Sequence, residues 1–553
     1  MDTVIYVGLS NFLTLRKGGL YVDKTDILDE LAPLLQSSTS LIVNRPRRFG
    51  KSLMISMIEV FYSSDLDSAS FFDDLRIAKS PNCIHRNQYP VITLSFKNIS
   101  SVIVSDMIEE IYSTISSVFK KWTERILPCC NEEEARYVQA IVAKQANRSD
   151  YIHSFDILCR LIGKTCGKKP LILIDEYDAP IEASYGSACY DDVLLFLKSF
   201  YLATFKDTDA FGFGYISGVF GIAKGTLGTG LNNIPVDSGQ TSPLSKNYFG
   251  FDEEEITNLC EKFHLDEQTH HNLTKYYGGY EFLGEKYYNP WSILSFLANR
   301  TYSSYWGNTG SNKAFSKVIE RAHDFDVEFL STMAHEGMDA SLDFTSSYED
   351  VGKDLSSILL YLALAGYLSL HPTGFNRYHL SLPNEETKQC FVNEIIRRYQ
   401  DQSSLSKAAT LRKAIETGDG EKLSEFFTQF LLSSLSYYDF SDEKNYQIMV
   451  GTIAALLFDD CMVKYEVIAG TGRCDIEISP FNKGGFGAVI EIKYVGSKTS
   501  KQRIVDRAKA ALNQIKKSDY VQHLRIRGAN PIIAFGFAFH KNMVCVESER
   551  LDQ

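Results

Sequence analysis

A loop between a predicted strand and a predicted helix constrains the fold of this chain more than any other feature. The apolar run Thr39 to Val43 leads into the loop, whose last residues are Gly50-Lys51-Ser52, and apolar residues at helical spacing follow over Leu53 to Phe61. Such a loop directs backbone N–H groups and the start of a helix at a phosphate. The segment therefore predicts an α/β sheet that binds a nucleotide.

The residues of this loop suit a nucleoside triphosphate and Mg²⁺. Gly50 lets the backbone approach the phosphates, Lys51 reaches the β and γ phosphates, and the Ser52 hydroxyl can ligate Mg²⁺. The match to G-x-x-x-x-G-K-[ST] is incomplete, because Arg45 occupies the position of the first glycine. An ordinary basic turn that caps a helix is the alternative interpretation.

A second motif supports a nucleotide site. The apolar strand Leu171 to Ile174 is followed by Asp175 and Glu176, a layout that places one carboxylate beside Mg²⁺ and the next beside the attacking water. We therefore predict Asp175 as a metal ligand and Glu176 as the general base. A buried strand with a solvated acidic end is the alternative for this motif taken alone.

Three further residues are candidates for contact with the nucleotide. Ser217, on the predicted strand Tyr215 to Val219, either senses the γ phosphate or is simply a small residue at a strand end. For Arg47 and Arg48 three roles stay open, namely phosphate contact, action across a subunit boundary and structural ion pairs. The second role would require a homo-oligomer.

The order of predicted elements divides the chain into four regions. Over residues 1–250 strands alternate with helices, which predicts a parallel sheet with its ligand at the carboxyl ends of the strands. Residues 251–345 have a helical pattern and are expected to form a lid. Residues 346–440 combine a helical linker with Asp354 to Leu382, where a helix and two strand-like runs suggest a winged-helix unit. Residues 441–553 form the last region.

This last region has the order helix, three strands, helix, strand, starting at Tyr446. Glu491 and Lys493 lie two apart on the third strand, so their side chains point the same way. Asp475 on the neighbouring strand can join Glu491 in holding one or two Mg²⁺ ions. Lys493 would then orient the nucleophile or neutralise developing negative charge.

Two more residues complete the predicted site. Glu443, just before the first helix of the region, is the expected third acid of the metal site, and Gln514 on the following helix could position water or phosphate. The alternative is plain, since an isolated Glu-x-Lys on a strand is usually a surface ion pair.

The charge of the chain is unevenly distributed. Its net charge is -12, yet residues 483–527 contain eleven Lys or Arg against three acids, a net charge of about +8. Clustered cations bind phosphate backbones, and four of them are well placed to do so: Lys501, Arg503, Arg507 and Lys509. We therefore predict a nucleic-acid partner, with DNA the expected form. A solvated helix face is the alternative.

Five motifs of the first 300 residues resemble, in sequence and order, the AAA-ATPase-like family of predicted ATPases. They are Tyr21-Val22-Asp23-Lys24-Thr25, the Arg45 to Ser52 loop, Asp175-Glu176-Tyr177-Asp178, Leu231-Asn232-Asn233 and Tyr288-Asn289-Pro290-Trp291-Ser292. Members of this family often carry a C-terminal PD-(D/E)xK nuclease domain, and the turn Gly472 to Asp475 resembles the Gly-Arg-x-Asp of those modules.

The resemblance implies a P-loop NTPase with a restriction-endonuclease-like α/β domain, and ATP and Mg²⁺ as ligands. In that family the Arg-Pro-Arg-Arg-Phe-Gly-Lys-Ser form of the loop is usual, so Arg45 is no departure from it. Ser217-Gly218 stands where Thr-Gly is typical, which keeps a hydroxyl at that position. The family implies an activity class and no particular substrate.

Composition excludes several classes of protein. The eleven cysteines contain no CxxC pair, which predicts reduced thiols and no zinc site. Met1 to Phe12 lacks the pattern of a secretory signal, and the most apolar stretch, Leu355 to Leu370, is shorter than the roughly 20 residues that span a bilayer. We expect an intracellular, cytoplasmic protein without a membrane segment, or a nuclear one in a eukaryote.

Three functions remain in competition. The leading hypothesis is a metal-dependent nuclease governed by ATP binding and hydrolysis. The second is a nucleotide-switched protein whose C-terminal module binds nucleic acid without cutting it. The third is a regulatory ATPase that acts on a protein partner. The sequence does not decide between DNA and RNA, or between a nick and a double-strand cut.

Overall fold

The computed structural model describes residues 4–99, 101, 103–220, 234–239, 248–306, 333, 337–344, 346, 348, 350–351, 353–388, 404–434, 443–458, 460–469, 472–496, 499–541 and 543–551. Leu231-Asn232-Asn233 and Lys498 lie outside these residues. The chain divides into two compact units, the first comprising 1–325 with 336–388 and the second comprising 326–335 with 389–553. Whether the first unit divides further at 250 and 345 stays a prediction.

The first unit contains strands and helices in alternation. Its strands are β1 Thr39–Asn44, β2 Val91–Ser95, β3 Leu171–Asp175, β4 Phe213–Gly218, β5 Val236–Asp237, β6 Tyr280–Phe282, β7 Glu285–Tyr287, β8 Met338–Ser341, β9 Ser369–Gly374 and β10 Arg377–Ser381. Its α-helices are α1 Phe12–Arg16, α2 Ile27–Leu31, α3 Lys51–Tyr62, α4 Val104–Ile126, α5 Glu132–Val142, α6 Arg148–Ile152, α7 Ser154–Cys166, α8 Ala179–Ser184, α9 Tyr190–Phe205, α10 Glu253–Lys262, α11 Glu267–Tyr277, α12 Pro290–Asn299 and α13 Leu355–Leu364.

The parallel sheet predicted for the N-terminal region is confirmed. Its strand order is β2-β3-β4-β1-β5, and all pairs are parallel. Val43 pairs with Ser217 and Ser95 pairs with Asp175. The carboxyl ends of these strands therefore meet at one edge of the sheet, where the loop after β1 also begins.

Burial explains why these apolar runs form the sheet. All five residues of β3 are buried, as expected of a central parallel strand covered by helices on both faces. On one face α3 packs Met54, Ile58 and Phe61 into a cluster that also contains Val43 and Tyr215. This packing fixes the start of α3 at the end of β1, so the loop between them is held on both sides.

The helical region predicted after residue 250 contains α10, α11 and α12. Its Gly and Tyr-rich interruption forms the antiparallel hairpin β6–β7, in which Tyr280 pairs with Tyr287. Further along, α13 precedes β9 and β10, which join β8 in an antiparallel sheet of order β8-β10-β9. A helix followed by a hairpin fits the expected wing, and the winged-helix unit itself stays a prediction.

The second unit has helices α14 Ser404–Thr417, α15 Gly420–Ser434, α16 Glu443–Leu457, α17 Lys501–Lys517 and α18 Gln522–Ile526, and strands β11 Cys461–Ala469, β12 Gly472–Pro480, β13 Gly487–Tyr494, β14 Ile532–His540 and β15 Met543–Arg550. The sheet order is β11-β12-β13-β14-β15, with β13 and β14 parallel and the other pairs antiparallel. This mixed sheet confirms the predicted C-terminal α/β fold and extends it by β15.

Within the described ranges no helix combines the length and the apolar character needed to cross a membrane. The apolar stretch from Leu355 is instead the buried helix α13.

Candidate active sites

The loop after β1 adopts the backbone that a phosphate site needs. Gly50 immediately precedes α3 and has φ of +90°, in the left-handed region where glycine carries no steric penalty. Arg48 also has positive φ, at +68°. The loop therefore turns sharply just before α3, and the N–H groups of the first turn of that helix are left for a ligand.

Lys51 is held inside the loop. Only 7% of the residue is exposed, and its Nζ donates to the carbonyl oxygens of Arg45 and Pro46, each at 2.9 Å. Burial lowers its pKa to about 8, against the opposing effect of Glu176 and Asp178. Lys51 forms no ion pair with the residues that the structure describes, and a phosphate entering the loop would offer its ammonium group a charged partner.

Arg45 explains how the loop closes without its first glycine. The side chain is fully buried, and its guanidinium forms an ion pair with Asp237 at 3.1 Å and donates to the carbonyl oxygen of the same residue. Its Cζ lies 5.1 Å from the ring centre of Phe249 and 5.6 Å from that of Phe282. Arg45 is thus a structural residue that joins the loop to β5.

The other two arginines of the loop also have protein partners. Arg47 forms an ion pair with Glu182 of α8. Arg48 stacks on Trp291 of α12, with its Cζ 4.1 Å from the ring centre. Both side chains line the same cavity, and structural contact, phosphate contact and action across a subunit boundary all stay open for each of them.

The acidic end of β3 lies beside this loop. Asp175 is buried and accepts a hydrogen bond from the Ser217 hydroxyl at 2.8 Å, so the hydroxyl orients the carboxylate. Glu176 has φ of +51° and lines the cavity. Burial raises the pKa of Glu176, and the charge of Asp175 adds to the effect. Asp175 and Ser217 do not line the cavity, whereas Glu176 does.

A cavity of about 800 Å³ is lined by Arg47, Arg48, Lys51 and Glu176. The phosphate loop and Glu176 form one part of its wall, and apolar and aromatic side chains form another, among them Leu9, Tyr21, Phe251, Trp291 and Leu294. Its size and mixed lining fit a nucleotide, with the phosphates at the loop.

Sequence reasoning missed three charged residues of this wall. Asp178 is buried and accepts hydrogen bonds from the backbone N–H groups of Val219 and Phe220, and burial raises its pKa to about 6. Glu182 holds Arg47. Lys24 forms an ion pair of 2.6 Å with Glu255. Asp178 and Lys24 belong to motifs that the sequence shows, but their partners lie more than 40 residues away, so the motifs alone did not reveal these contacts.

A second group of polar side chains lies in the C-terminal unit. Lys493 Nζ is 2.8 Å from Glu491 Oε1 and 3.6 Å from Glu443 Oε1. Asp475 Oδ2 accepts from the backbone N–H of Ile492 at 2.6 Å, which brings it to the same stretch of β13. The structure therefore brings together the four charged residues that the sequence singles out.

Glu491 is the member of the group whose charged form is least well stabilised by its surroundings. Its carboxylate is buried, and Oε2 has no hydrogen-bond partner among the described residues. Burial raises its pKa to about 7, against the hydrogen bond from Lys493, and the charge of Asp475 raises it further. A buried carboxylate oxygen without a donor is costly unless a cation or proton satisfies it.

The fit to a metal ion is partial. In the described part of the chain no group of three or more His, Cys, Asp or Glu side chains is arranged to hold a metal. Glu443 is engaged by the backbone N–H of Tyr494 at 3.1 Å as well as by Lys493. The unsatisfied oxygen of Glu491 with Asp475 nearby nevertheless supplies the hard oxygen donors that Mg²⁺ prefers.

Gln514 and the basic run are distributed around this unit. Gln514 on α17 donates to the hydroxyl of Tyr520 at 3.4 Å, a contact that leaves its catalytic role a prediction. Six cations of the run are exposed on α17: Lys501, Arg503, Arg507, Lys509, Lys516 and Lys517. Lys483, Arg525 and Arg527 lie instead near the β12–β13 turn and α18.

Comparisons with known proteins agree with this architecture. Residues 6–228 match the family described as a predicted AAA-ATPase, and residues 441–549 match the PD-(D/E)XK nuclease superfamily. A relative of 25% identity, which covers 97% of this chain and 96% of its own length, is described as an uncharacterized protein in the vnfD 5′ region of Azotobacter chroococcum mcd 1. The combination of the two segments confirms the predicted architecture.

Proposed function

We propose that this chain, which combines a AAA-ATPase-like segment with a PD-(D/E)XK nuclease-like segment, binds and hydrolyses ATP and cleaves nucleic acid in a metal-dependent reaction. The observation that carries the proposal is the buried Glu491 carboxylate: Oε1 accepts from Lys493, Oε2 has no hydrogen-bond partner among the described residues, and the charge of Asp475 acts on the group. A bound cation would satisfy that oxygen and offset the cost of its burial.

The N-terminal site supports ATP binding through the phosphate loop and the acidic end of β3. Lys51 and the first N–H groups of α3 would bind the phosphates, and Ser52 with Asp175 would hold Mg²⁺, which neutralises phosphate charge when bound. Ser217 keeps the Asp175 carboxylate oriented. The raised pKa of Glu176 suits a base that takes a proton from the attacking water.

The C-terminal site supports phosphodiester cleavage. Asp475 and Glu491 would hold the metal, with Glu443 as the third predicted acid, and a bound divalent ion lowers the pKa of water and stabilises the leaving oxygen. Lys493 donates to Glu491, and its ammonium is available to neutralise negative charge that develops on the phosphate. Gln514 is proposed to position the substrate phosphate or water.

Nucleic acid is proposed to approach along α17. The exposed cations of that helix lie on a stretch of sequence with net positive charge in an otherwise acidic chain. Such clustering concentrates phosphate binding at one surface and lets the acidic remainder repel it.

A cleavage assay tests the proposal. Labelled duplex, single-stranded and branched DNA and RNA are incubated with Mg²⁺ or Mn²⁺, with and without ATP. Wild type is compared with Lys493→Ala, Lys51→Ala and the control Lys413→Ala, which changes an exposed lysine of α14 in the same unit as Lys493. We expect Lys493→Ala to lose cleavage, Lys51→Ala to lose its dependence on ATP, and the control to behave as wild type.

The alternatives predict different outcomes. Gel shifts without cleavage under any metal and nucleotide condition would favour a nucleotide-switched binding protein. Absence of binding to any nucleic acid, even at low salt, would favour a regulatory ATPase with a protein partner. Equal loss of cleavage in Lys413→Ala and Lys493→Ala would contradict the assignment of Lys493.

A further inference from the structure

Trp306, which lies outside the segment that matches the ATPase family, contacts the phosphate loop. Trp306 is fully buried, and its indole N–H donates to the carbonyl oxygen of Arg47 at 3.3 Å. That carbonyl follows directly after the Arg45 and Pro46 carbonyls that hold Lys51. The indole therefore fixes the backbone of the loop next to the residue that would bind the nucleotide phosphates.

Trp306 is itself fixed by a buried carboxylate. Glu386, only 3% exposed, accepts hydrogen bonds at 2.6 Å from the backbone N–H of Trp306 and from the hydroxyl of Ser292. The Trp306 ring packs edge-on against Tyr367, with centres 4.8 Å apart. A buried carboxylate shared by two donors orders both of them, because either would be left unsatisfied without it.

The start of α12 contributes to the same arrangement. Asn289 caps this helix by accepting from the N–H groups of Trp291 and Ser292. The cap places Trp291 on Arg48 and Ser292 on Glu386. The Tyr288 to Ser292 motif, which nucleotide chemistry alone does not explain, thus connects two consecutive arginines of the loop to one buried network.

A second contact reaches the loop from residues 353–388. The hydroxyl of Tyr361 on α13 donates to Glu182 at 3.3 Å, and Glu182 holds the Arg47 side chain. Gly366 lies against Pro46, where a Cβ would come within 2.7 Å of the Pro46 ring. Arg47 is therefore held by its carbonyl on one side and by its guanidinium on the other.

We propose that Trp306 and Glu386 are positioning residues for the phosphate loop, through which residues 353–388 set the affinity of the site for nucleotide. This inference rests on the proposed ATP binding. Ordering the loop before the nucleotide arrives reduces the conformational cost of binding. Neither residue touches the nucleotide in this scheme, and both act through the Arg47 carbonyl.

The test measures binding of a fluorescent N-methylanthraniloyl derivative of ATP to the full chain. Trp306→Phe removes the indole N–H and keeps a ring beside Tyr367, and we expect Kd to rise roughly 5-fold, the size of one lost hydrogen bond. Trp122→Phe, a change at a buried tryptophan of α4 that does not line the cavity, should leave Kd unchanged.

Glu386 variants separate positioning from general destabilisation. Glu386→Ala should raise Kd as Trp306→Phe does, whereas Glu386→Gln should restore it, because the amide oxygen can still accept from the Trp306 N–H. The double variant should bind no more weakly than Glu386→Ala alone, since both changes act on one contact. For all variants kcat at saturating ATP should stay near the wild-type value while KM follows Kd.

The outcomes are distinct. A wild type that binds no nucleotide overturns the proposed function and this inference with it. Unchanged Kd in Trp306→Phe, or an equal rise in Trp122→Phe, overturns the inference alone. If Trp306→Phe does not fold, the contrast between Glu386→Ala and Glu386→Gln decides, and equal Kd values in those two variants would count against positioning.

Discussion

The ion pair between Arg45 and Asp237 has no contact with water on either side. A pair of this kind contributes little net stability when intact, because desolvation offsets the attraction between the charges. Removing one partner is strongly destabilising, since the other charge is then left buried without an opposite charge. At the residue scale, this asymmetry determines how the loop tolerates change.

Arg45→Gly should therefore destabilise the protein even though it restores the glycine of the general phosphate-loop pattern. We expect the free energy of unfolding of the first unit to fall by about 3 kcal/mol, measured by urea denaturation. Arg45→Gly with Asp237→Asn should recover part of the loss. A single variant as stable as wild type would contradict the structural role of Arg45.

Glu491 gives a prediction with a defined pH dependence. Its pKa of about 7 in the folded protein exceeds the ordinary value of 4.5, so the folded state retains a proton that the unfolded chain releases. The stability of the metal-free protein should fall as pH rises from 4.5 to 7 and stay low above that. Glu491→Gln should remove this dependence and stabilise the metal-free second unit at pH 8 by roughly 2 kcal/mol.

The measurement is urea denaturation of wild type and Glu491→Gln at pH 5 and pH 8 in the presence of a chelator. The two proteins should differ more at pH 8 than at pH 5. Metal affinity should show the opposite trend in wild type and increase with pH through 7, because only the ionised carboxylate is a ligand. A pH-independent difference between the proteins would show that Glu491 ionises normally.

Local patterns identified Lys51 and Glu176 at the first site and the charged residues of the second, but they missed Asp178, Glu182 and Lys24 and did not show how each residue is held. Glu-x-Lys spacing on one strand was enough to place Glu491 beside Lys493. The partners of Arg45 and Arg47, by contrast, lie 192 and 135 residues away, and a single sequence carries no signal for such pairs. The three roles left open for Arg47 reflect this limit.

At the scale of elements, α17 combines an apolar face with a basic one. Ile504, Ala508, Ala511 and Ile515 are buried and dock the helix on the sheet, while Arg503 and Arg507 are exposed. The two faces can therefore be changed separately.

Charge reversal on the exposed face should weaken nucleic-acid binding without unfolding the unit. For Arg503→Glu with Arg507→Glu we expect at least a tenfold rise in Kd at low salt and a shallower dependence of log Kd on log salt concentration, because fewer counterions are released. Fluorescence anisotropy over a salt series measures both. The double change Lys413→Glu with Lys422→Glu, at exposed lysines of α14 and α15, alters the net charge by the same amount and is the matched control, and an equal loss there would indicate a general charge effect.

The periodic elements could be predicted from the sequence, and the short ones could not. β1, β3 and the helix α3 follow from apolar runs and helical spacing. The hairpin β6–β7 has strands of three residues each, too short to show a period of two. β15 was missed because Met543 to Arg550 alternates weakly and ends in charged residues, as an edge strand at the end of a sheet often does.

At the scale of the whole molecule, each compact unit carries one candidate site. Ligands that bind only the folded state stabilise the unit to which they bind. Calorimetric unfolding should therefore show an ATP-dependent shift of the first unit's transition that Lys51→Ala abolishes and Glu491→Gln retains. A Mn²⁺-dependent shift of the second unit's transition should show the reverse pattern. At a ligand concentration of 100 times Kd each stabilisation amounts to about 2.7 kcal/mol.

A single transition that responds to both ligands would contradict independent stabilisation of the units. The predicted four regions, the intracellular location and the homo-oligomer remain predictions at this scale. The packing of regions and of subunits depends on the complementarity of their surfaces, which composition and periodicity do not encode.

The pair formed by Arg45 and Asp237 also bears on how such chains are recognised. A search that demands glycine at the first position of the phosphate loop discards every chain in which a buried arginine at that position links the loop to a neighbouring strand. The compensating aspartate follows 192 residues later, on β5. The arginine of the loop and the aspartate of the short strand after β4 together form a two-point pattern that can be sought in other sequences.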